Sequence, residues 1–317
     1  MSDAIALELD AQYRQLREEC GLLDRSDRGK LIVSGSEAAE YLQGQLTNDV
    51  EALAPGEGQY AALLDRKGHM QADMRVLRTS PDEIWIDTEP EALEPARRHL
   101  EMYKIGREVT IVDLTAERSI LSLIGPRSVE LAGTAVLPED TSEPASISGV
   151  TCLAVGTAAG VDLIAKSSDA AALRDALASA GAVEVAPEAA EVVRIEAGTP
   201  RFGAEMSAET MPAEAGIVER AISFTKGCYI GQEPVARLHY KGRPNRHLRG
   251  LELSALAAPG TSLRLGEKEV GKIGSSRVSP AHGPIALAIV RREAEPGSEL
   301  AVGEDGVTAR VVDLPFG

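Results

Sequence analysis

The sequence predicts an α+β protein built from two ferredoxin-like lobes and a small C-terminal β-barrel. Two observations predict the lobes: a strand–turn–helix pattern occurs twice, and each half of the chain closes with a strand–helix–strand pattern. A third observation predicts the barrel, because short strand patterns separated by proline and glycine follow one another from residue 249 onward. We place the lobes at residues 1–115 and 116–245, and the barrel at residues 246–317. A chain of 317 residues, 44% of them hydrophobic, is large enough to bury these cores.

The first lobe is predicted to contain a strand and a helix, then a β-hairpin, then a closing unit. Residues 31–44 begin as an apolar strand, turn at Gly35, and continue as a helix with apolar positions every three or four residues. Residues 60–64 lead into the turn Asp65-Arg-Lys-Gly68, and residues 69–78 alternate after it, which is typical of a hairpin. The closing strand, helix and strand are residues 83–87, 91–102 and 108–112.

The second lobe repeats the opening and closing patterns of the first. Its strand–turn–helix opening lies at residues 121–133, where Pro126 suits a first helical position. Its closing strand, helix and strand are residues 161–165, 169–180 and 182–185. Two weak matches in the same order support the lobes better than either match alone.

Composition disfavours several functional classes. With 33 basic and 49 acidic residues, the chain has a net charge of −16, which disfavours binding to nucleic acid. No stretch approaches the roughly 18 consecutive apolar residues of a membrane span, and the N-terminus lacks a basic start, so we expect a cytoplasmic protein without membrane contact. Cys20, Cys152 and Cys228 are far apart and form no C-x-x-C pair, so we expect neither a disulfide scaffold nor a resident metal.

A basic segment stands out in this acidic chain. Six lysines and arginines lie between Lys226 and Arg249, against the single acid Glu233. Charge runs are usually solvated surface, but arginines also bind carboxylates and phosphates in bidentate geometry. The sequence leaves both interpretations open. The candidate anion-binding residues are Lys226, Arg237, Lys241 and Arg243.

Cys228 lies within this segment, two residues after Lys226 and just before a predicted helix that starts between Gly231 and Pro234. A neighbouring cation and a helix N-terminus both favour the thiolate form of a cysteine, which is nucleophilic and can ligate metal. The alternative is a small buried apolar side chain, the usual fate of a free cysteine. Without further information, the buried side chain is favoured.

Two further places offer polar side chains for a ligand. Arg194 and Glu196 are predicted to share one face of a strand, where the carboxylate could accept a pair of hydrogen bonds from a pterin; a surface ion pair is the alternative. Asn48 and Asp49 are typical of a turn or a helix cap. Asp73, on the second strand of the hairpin, is either a catalytic acid or an exposed carboxylate.

Several motifs resemble those of the glycine-cleavage T-protein superfamily. Lys226-Gly-Cys-Tyr-Ile-Gly-Gln-Glu233 is similar to the signature of its YgfZ-type folate-binding branch. Further similarity lies at residues 41–49, 194–198 and 211–216, and at Pro315-Phe316, so the resemblance spans nearly the whole chain.

The resemblance implies two ferredoxin-like lobes and a barrel around a central folate channel, with tetrahydrofolate as cofactor. It also implies an accessory role in assembly or repair of iron–sulfur proteins, including radical enzymes of tRNA modification, with iron–sulfur proteins or assembly factors as partners. The site residues predicted on this basis are Cys228 and Asp73 as reacting groups and, as folate contacts, Glu196, Arg194, Lys226, Tyr229, Arg237, Lys241, Arg243, Asn48 and Asp49.

The chain departs from the T-protein pattern on the first hairpin. T-proteins carry a pair of aspartates after a double glycine, whereas this chain has Gly68-His-Met-Gln-Ala72-Asp73, with one acid. A carboxylate beside the folate nitrogens steers one-carbon transfer. We therefore expect a protein that is not a conventional aminomethyltransferase. The alternatives are a folate-dependent aminomethyltransferase or demethylase, and a scaffold that has lost folate binding.

Overall fold

The computed structural model describes residues 2–317 of the chain, with side chains from residue 8 onward. The helices are α1 (Ser2–Glu18), α2 (Ala38–Gln45), α3 (Pro90–Tyr103), α4 (Ser128–Ala132), α5 (Ala170–Ala180), α6 (Pro187–Glu196), α7 (Val218–Ala221) and α8 (Gln232–Lys241). The first strands are β1 (Gly21–Asp24), β2 (Gly29–Ser34), β3 (Gly58–Leu64), β4 (Met70–Ser80), β5 (Glu83–Thr88), β6 (Thr110–Asp113), β7 (Arg118–Ile124), β8 (Ser142–Ile147), β9 (Val150–Thr157), β10 (Gly160–Lys166) and β11 (Val183–Glu184). The remaining strands are β12 (Arg246–Leu253), β13 (Ser262–Leu265), β14 (Lys268–Ser279), β15 (Gly283–Arg291), β16 (Glu299–Val302) and β17 (Val307–Val312).

The chain divides into two compact units. The first unit contains the chain up to Leu64, residues 71–189 and residues 220–230. The second contains residues 65–70, 190–219 and 231–317.

Two sheets with the same internal order lie in the first unit, apart from Met70 at the start of β4. The five-stranded sheet has the order β3-β4-β5-β2-β6, and the six-stranded sheet has the order β8-β9-β10-β7-β1-β11. In both, the chain runs through a strand, a helix, three strands, a helix and a last strand. The two helices are α2 and α3 in the first repeat and α4 and α5 in the second. The one difference is β1, which is inserted between β7 and β11 and pairs antiparallel with the former and parallel with the latter. The predicted internal repeat is therefore present in the structure.

The second unit contains a closed six-stranded barrel of order β12-β15-β14-β13-β16-β17. Its interior is filled by apolar side chains from every strand, among them Leu251, Leu263, Ile273, Val290 and Val311. The α+β prediction, with two lobes and a C-terminal barrel, is confirmed. The boundaries proposed at residues 115 and 245 stay a prediction.

The segment that carries Arg194 and Glu196 is a helix, and the prediction of a strand was wrong. Pro187 begins α6, where a missing N–H costs nothing. Ala189, Val192 and Ile195 are buried, and this spacing of three residues is that of a helical stripe. The run of β-branched residues at its end favoured a strand, but tertiary burial of the stripe decides the structure.

No helix among residues 2–317 combines the length and apolarity that crossing a membrane requires. In the same part of the chain, no group of three His, Cys, Asp or Glu side chains is arranged to hold a metal ion.

Candidate functional site

A buried carboxylate and a buried phenol meet in the five-stranded sheet. Asp73 on β4 is 9% exposed, and its Oδ2 accepts a 2.8 Å hydrogen bond from the hydroxyl of Tyr60 on β3. Its Oδ1 is buried and has no hydrogen-bond partner among the described residues. Burial raises the pKa of Asp73 to about 6, although the bond from Tyr60 acts in the opposite direction. Asp73 is therefore not an exposed strand carboxylate, and one of its buried oxygens has no hydrogen-bond partner among the described residues.

Charged side chains surround this pair. The guanidinium of Arg220 lies 4.8 Å from the centre of the Tyr60 ring and forms a 2.6 Å ion pair with Glu139. Besides burial and the bond from Tyr60, two charges act on the pKa of Asp73: Glu89 raises it and Arg28 lowers it. Burial also raises the pKa of Tyr60 well above its ordinary value, so Tyr60 stays a hydrogen-bond donor across the physiological range. The pair is thus held in a polar, partly dehydrated environment.

A buried ionic network connects the two sheets beneath this site. Arg75 on β4 donates from Nε to Asp87 on β5 and from Nη1 to Asp162 on β10, at 2.8 and 2.7 Å. Arg28 binds the other oxygen of Asp87 at 2.8 Å. Burial opposes ionisation of Asp87, but the guanidinium groups of Arg75 and Arg28 outweigh it and hold its pKa well below the usual range. Sequence reasoning missed this network; the available signal was the presence of charges inside otherwise apolar strands.

The predicted folate contacts Asn48 and Asp49 lie in the loop after α2, where both side chains form hydrogen bonds within the protein. The Asn48 amide donates to the carbonyls of Tyr60 and Arg220, at 2.9 and 3.0 Å. Asp49 accepts a 2.9 Å bond from the side chain of Gln43. Asn48 therefore lies beside the Tyr60–Asp73 pair, and direct contact of either residue with folate stays a prediction.

Lys226 is a buried lysine, which excludes it from any solvated basic surface. It is 8% exposed, and its Nζ donates to the carbonyls of Gln43, Leu46 and Asn48 at 2.6, 2.6 and 2.8 Å. Burial lowers its pKa to about 8. The ring of Tyr229 lies 5.2 Å from Nζ and is itself buried, which raises the phenol pKa to about 12. With three acceptors for three N–H groups, the ammonium is fully engaged by the backbone.

Cys228 is exposed, whereas Cys20 and Cys152 are buried. The segment that carries it is fixed on both sides, by Lys226 and by a 3.3 Å bond from the Ile230 amide to the Gly44 carbonyl. The thiol is thus exposed to solvent on a loop that hydrogen bonds fix at both ends. Its predicted role as a reacting group stays a prediction.

The remaining predicted residues lie in the second unit. Glu196 is 3% exposed and accepts a 2.5 Å hydrogen bond from the Ser279 hydroxyl. Arg194 forms ion pairs with Glu191 and Glu205 at 2.7 and 3.0 Å. Two residues apart on a helix, Arg194 and Glu196 point in different directions. Three further predicted residues, Arg237 and Lys241 on α8 and Arg243 just after it, are exposed.

Comparison with known proteins identifies the family. Residues 3–226 match the GCVT N-terminal domain, and residues 246–316 match the glycine cleavage T-protein C-terminal barrel domain. The chain belongs to the glycine cleavage T-protein family.

Relatives within this family match the chain over nearly its full length. An aminomethyltransferase of Exiguobacterium sibiricum is 29% identical over 320 residues, which cover 96% of this chain and 88% of the relative. An aminomethyltransferase of Symbiobacterium thermophilum is also 29% identical, with the same coverage. The crystal structure of glycine cleavage system aminomethyltransferase T from Bartonella henselae superposes with a TM-score of 0.87 at 23% identity, over 98% of this chain and 89% of that one. This last similarity shows the T-protein fold.

These comparisons overturn the functional prediction made from the eight-residue motif. The predictions of an iron–sulfur accessory role, of iron–sulfur partners, of a link to tRNA-modifying enzymes and of a protein that is not a conventional aminomethyltransferase were wrong, because full-length T-protein relatives carry the name aminomethyltransferase. The eight residues from Lys226 to Glu233 indicated an accessory function, whereas similarity over 320 aligned residues indicates an aminomethyltransferase.

Proposed function

We propose that this protein is a folate-dependent aminomethyltransferase, which moves the one-carbon unit of an aminomethyl-bearing carrier protein to tetrahydrofolate with release of ammonia. The observation that carries the proposal is the buried carboxylate Asp73, held by Tyr60 at one oxygen and without a protein partner at the other. The full-length relatives named aminomethyltransferase support it. The proposed partner is the carrier protein of the glycine cleavage system.

The orphaned oxygen of Asp73 fits a reduced folate, since a buried acceptor needs a donor and folate nitrogens supply N–H groups. Tetrahydrofolate supplies the nitrogens that accept the one-carbon unit. Asp73 would orient the accepting nitrogen and take up its proton at Oδ1. With a pKa of about 6, the carboxylate is mostly ionised at neutral pH and remains a competent proton acceptor. Tyr60 keeps Oδ2 in place.

One acid is sufficient in this proposal, although T-proteins carry two on this hairpin. Successive strand residues point to opposite faces, so position 72 faces away from the Tyr60–Asp73 side. Ala72 is fully buried there, among apolar residues of the sheet such as Met70 and Met74. The face that carries Asp73 keeps its acid, and the loss at position 72 leaves the proposed chemistry intact.

The other folate contacts are proposals as well. Glu196 would bind the pterin, and the exposed cations Arg237, Lys241 and Arg243 would neutralise the glutamate tail. The resemblance to the YgfZ-type branch, which rests on residues 226–233, is retained as a proposal about subfamily and not about activity.

The proposal is tested by turnover. The purified protein is mixed with tetrahydrofolate and the aminomethyl-loaded carrier protein, and ammonia release and methylene-tetrahydrofolate are measured together. We expect both products in equal amounts and at a rate that saturates with carrier. Rates equal to the protein-free reaction, under conditions where an established T-protein turns over, would rule the activity out.

A further inference from the structure

We propose that Lys226 is a positioning residue for this reaction: its ammonium holds the loop after α2 in the conformation that fixes Tyr60, and through Tyr60 the carboxylate of Asp73. The inference rests on the proposed function for its catalytic consequence, but the path of contacts is independent of it. All residues on this path belong to the first unit.

The path begins at the C-terminal end of α2. The last carbonyls of a helix have no partner within the helix and need another donor. Lys226 provides it, because one ammonium binds the carbonyl of Gln43 inside α2 and those of Leu46 and Asn48 just after it. Lys226 therefore binds carbonyls both at the end of the helix and in the turn that follows.

That turn is joined to β3 at neighbouring positions. The Asn48 amide donates to the Tyr60 carbonyl at 2.9 Å, and the Thr47 hydroxyl accepts a 2.9 Å bond from the amide of Ala62. The same two side chains donate to the carbonyls of Arg220 and Ala221, at 3.0 and 2.6 Å. The loop thus fixes both the backbone of Tyr60 and the segment whose guanidinium covers the Tyr60 ring.

Tyr60 completes the path with its 2.8 Å hydrogen bond to Asp73. Lys226, Asn48, Tyr60 and Asp73 form a continuous series of contacts, and each step is made by a buried or half-buried group. A small displacement of a reacting group can cost about a hundredfold in rate, so the position of this loop matters for transfer.

Protonation of Lys226 is part of the arrangement. The groups that act on the ammonium are the carboxylates of Asp49 and Glu51, which favour the charged form, and the Tyr229 ring, which covers it. Burial opposes the charged form more strongly, and the pKa is about 8. Above this pH, loss of one N–H leaves one of the three carbonyls without a donor, and we expect the loop to loosen.

A double-mutant cycle tests the inference. Lys226→Met is expected to lower kcat by about tenfold, with the KM for carrier changed by less than about twofold. If Lys226 acts through Tyr60, combining it with Tyr60→Phe should add little further loss, whereas independent effects would multiply. Multiplied effects, or a Lys226→Met enzyme with wild-type kcat, would overturn the inference.

A matched control and a second variant guard against general destabilisation. Tyr41→Phe removes a buried 2.5 Å bond from the same helix to the Leu100 carbonyl, which is not on the path to Tyr60. Its effect should multiply with that of Tyr60→Phe. If Lys226→Met does not fold, Asn48→Ala interrupts the path one step later without removing a buried charge, and the same non-additivity is expected.

A measurement without turnover separates this inference from the proposed function. The titration of Asp73 is followed by NMR of its carboxyl carbon in the wild-type protein and in Lys226→Met. A loosened Tyr60 bond should raise the titration midpoint by about 0.5 in pH. An unchanged midpoint would overturn the positioning role even in an active enzyme, and a raised midpoint would uphold it even if no aminomethyl transfer is found.

Discussion

The hydroxyl of Tyr60 donates a 2.8 Å hydrogen bond to one oxygen of Asp73, while the other oxygen of the same carboxylate is buried without a partner in the described chain. Native proteins rarely leave a buried acceptor unpaired, and such groups are found where a ligand completes the bonding. The bond also opposes the effect of burial on the Asp73 pKa. Tyr60 therefore affects both the position and the ionisation of Asp73.

Tyr60→Phe should shift the pH dependence of transfer. Removing the hydroxyl removes a bond that lowers the pKa of Asp73, so the pKa rises above its value of about 6. More of the carboxyl is then protonated near neutrality, and we expect about a tenfold loss of kcat/KM at pH 6.5 that shrinks by pH 8.5. The measurement is the pH profile of kcat/KM. A loss of equal size at every pH would show that Tyr60 does not act through ionisation of Asp73.

Asp73→Asn should make the folded protein more stable at neutral pH. The pKa of Asp73 is raised from 3.8 to about 6 on folding, so the folded chain binds this proton more tightly than the unfolded chain. The ionised carboxylate costs stability that is absent below about pH 4, grows between about pH 4 and 6, and is constant above. We expect the stability difference between variant and wild type to change by about 2–3 kcal/mol over this interval. Urea unfolding at pH 4, 5, 6 and 8 checks this, and a difference independent of pH would contradict it.

Arg75→Met should strongly destabilise the first unit. It leaves Asp87 and Asp162 without the guanidinium that joins them, and breaking a buried ionic network in this way costs about 3–5 kcal/mol. The pKa of Asp87 is depressed in the folded state, so its contribution is present at neutral pH and is lost as the pH falls below about 4. The loss caused by Arg75→Met should therefore shrink in acid.

Arg97→Met is the matched control for this variant. Arg97 pairs with Glu94 on the surface of α3, and exposed pairs of this kind contribute at most about 1 kcal/mol. Thermal or urea unfolding of both variants compares the two sites. Equal losses would mean that the Arg75 network is not stabilising.

Thiol labelling should distinguish Cys228 from the other two cysteines. Cys228 is exposed, whereas Cys20 and Cys152 are 1% and 5% exposed. Burial also raises the pKa of Cys20 to about 11, which suppresses its thiolate. A thiol reagent should label one cysteine in the native protein and three after denaturation. Rapid labelling of two or three native thiols would contradict this burial.

The repeat and the barrel could be predicted from sequence because both depend on local patterns. The two openings at Leu31 and Leu121 share an apolar strand, a glycine turn and a helix, and the barrel strands are separated by regular turn signals. The strand assigned to Arg194 and Glu196 failed because the β-branched residues Val192, Val193 and Ile195 fit either structure. Burial of one helical stripe, which the sequence does not show, favours the helix.

The site could be predicted only in part because its contacts join distant segments. Asp73 was recognised, but Tyr60 lies 13 residues earlier and is brought beside it by the pairing of β3 with β4. Arg75 and Asp162 are 87 residues apart, and their contact depends on how the two sheets pack. For Lys226 the residue was right, but the charge pattern did not show that backbone carbonyls would surround it.

The central claim is that Asp73 carries aminomethyl transfer, and Asp73→Asn tests it most directly. Ammonia release is measured at pH 8 for the variant, for the wild type, and for Asp305→Asn, an exposed aspartate of the barrel unit that serves as control. We expect Asp73→Asn to lower kcat by at least about a hundredfold while tetrahydrofolate binding changes by less than about threefold, and Asp305→Asn to behave as wild type. An Asp73→Asn enzyme that turns over at the wild-type rate would contradict the account.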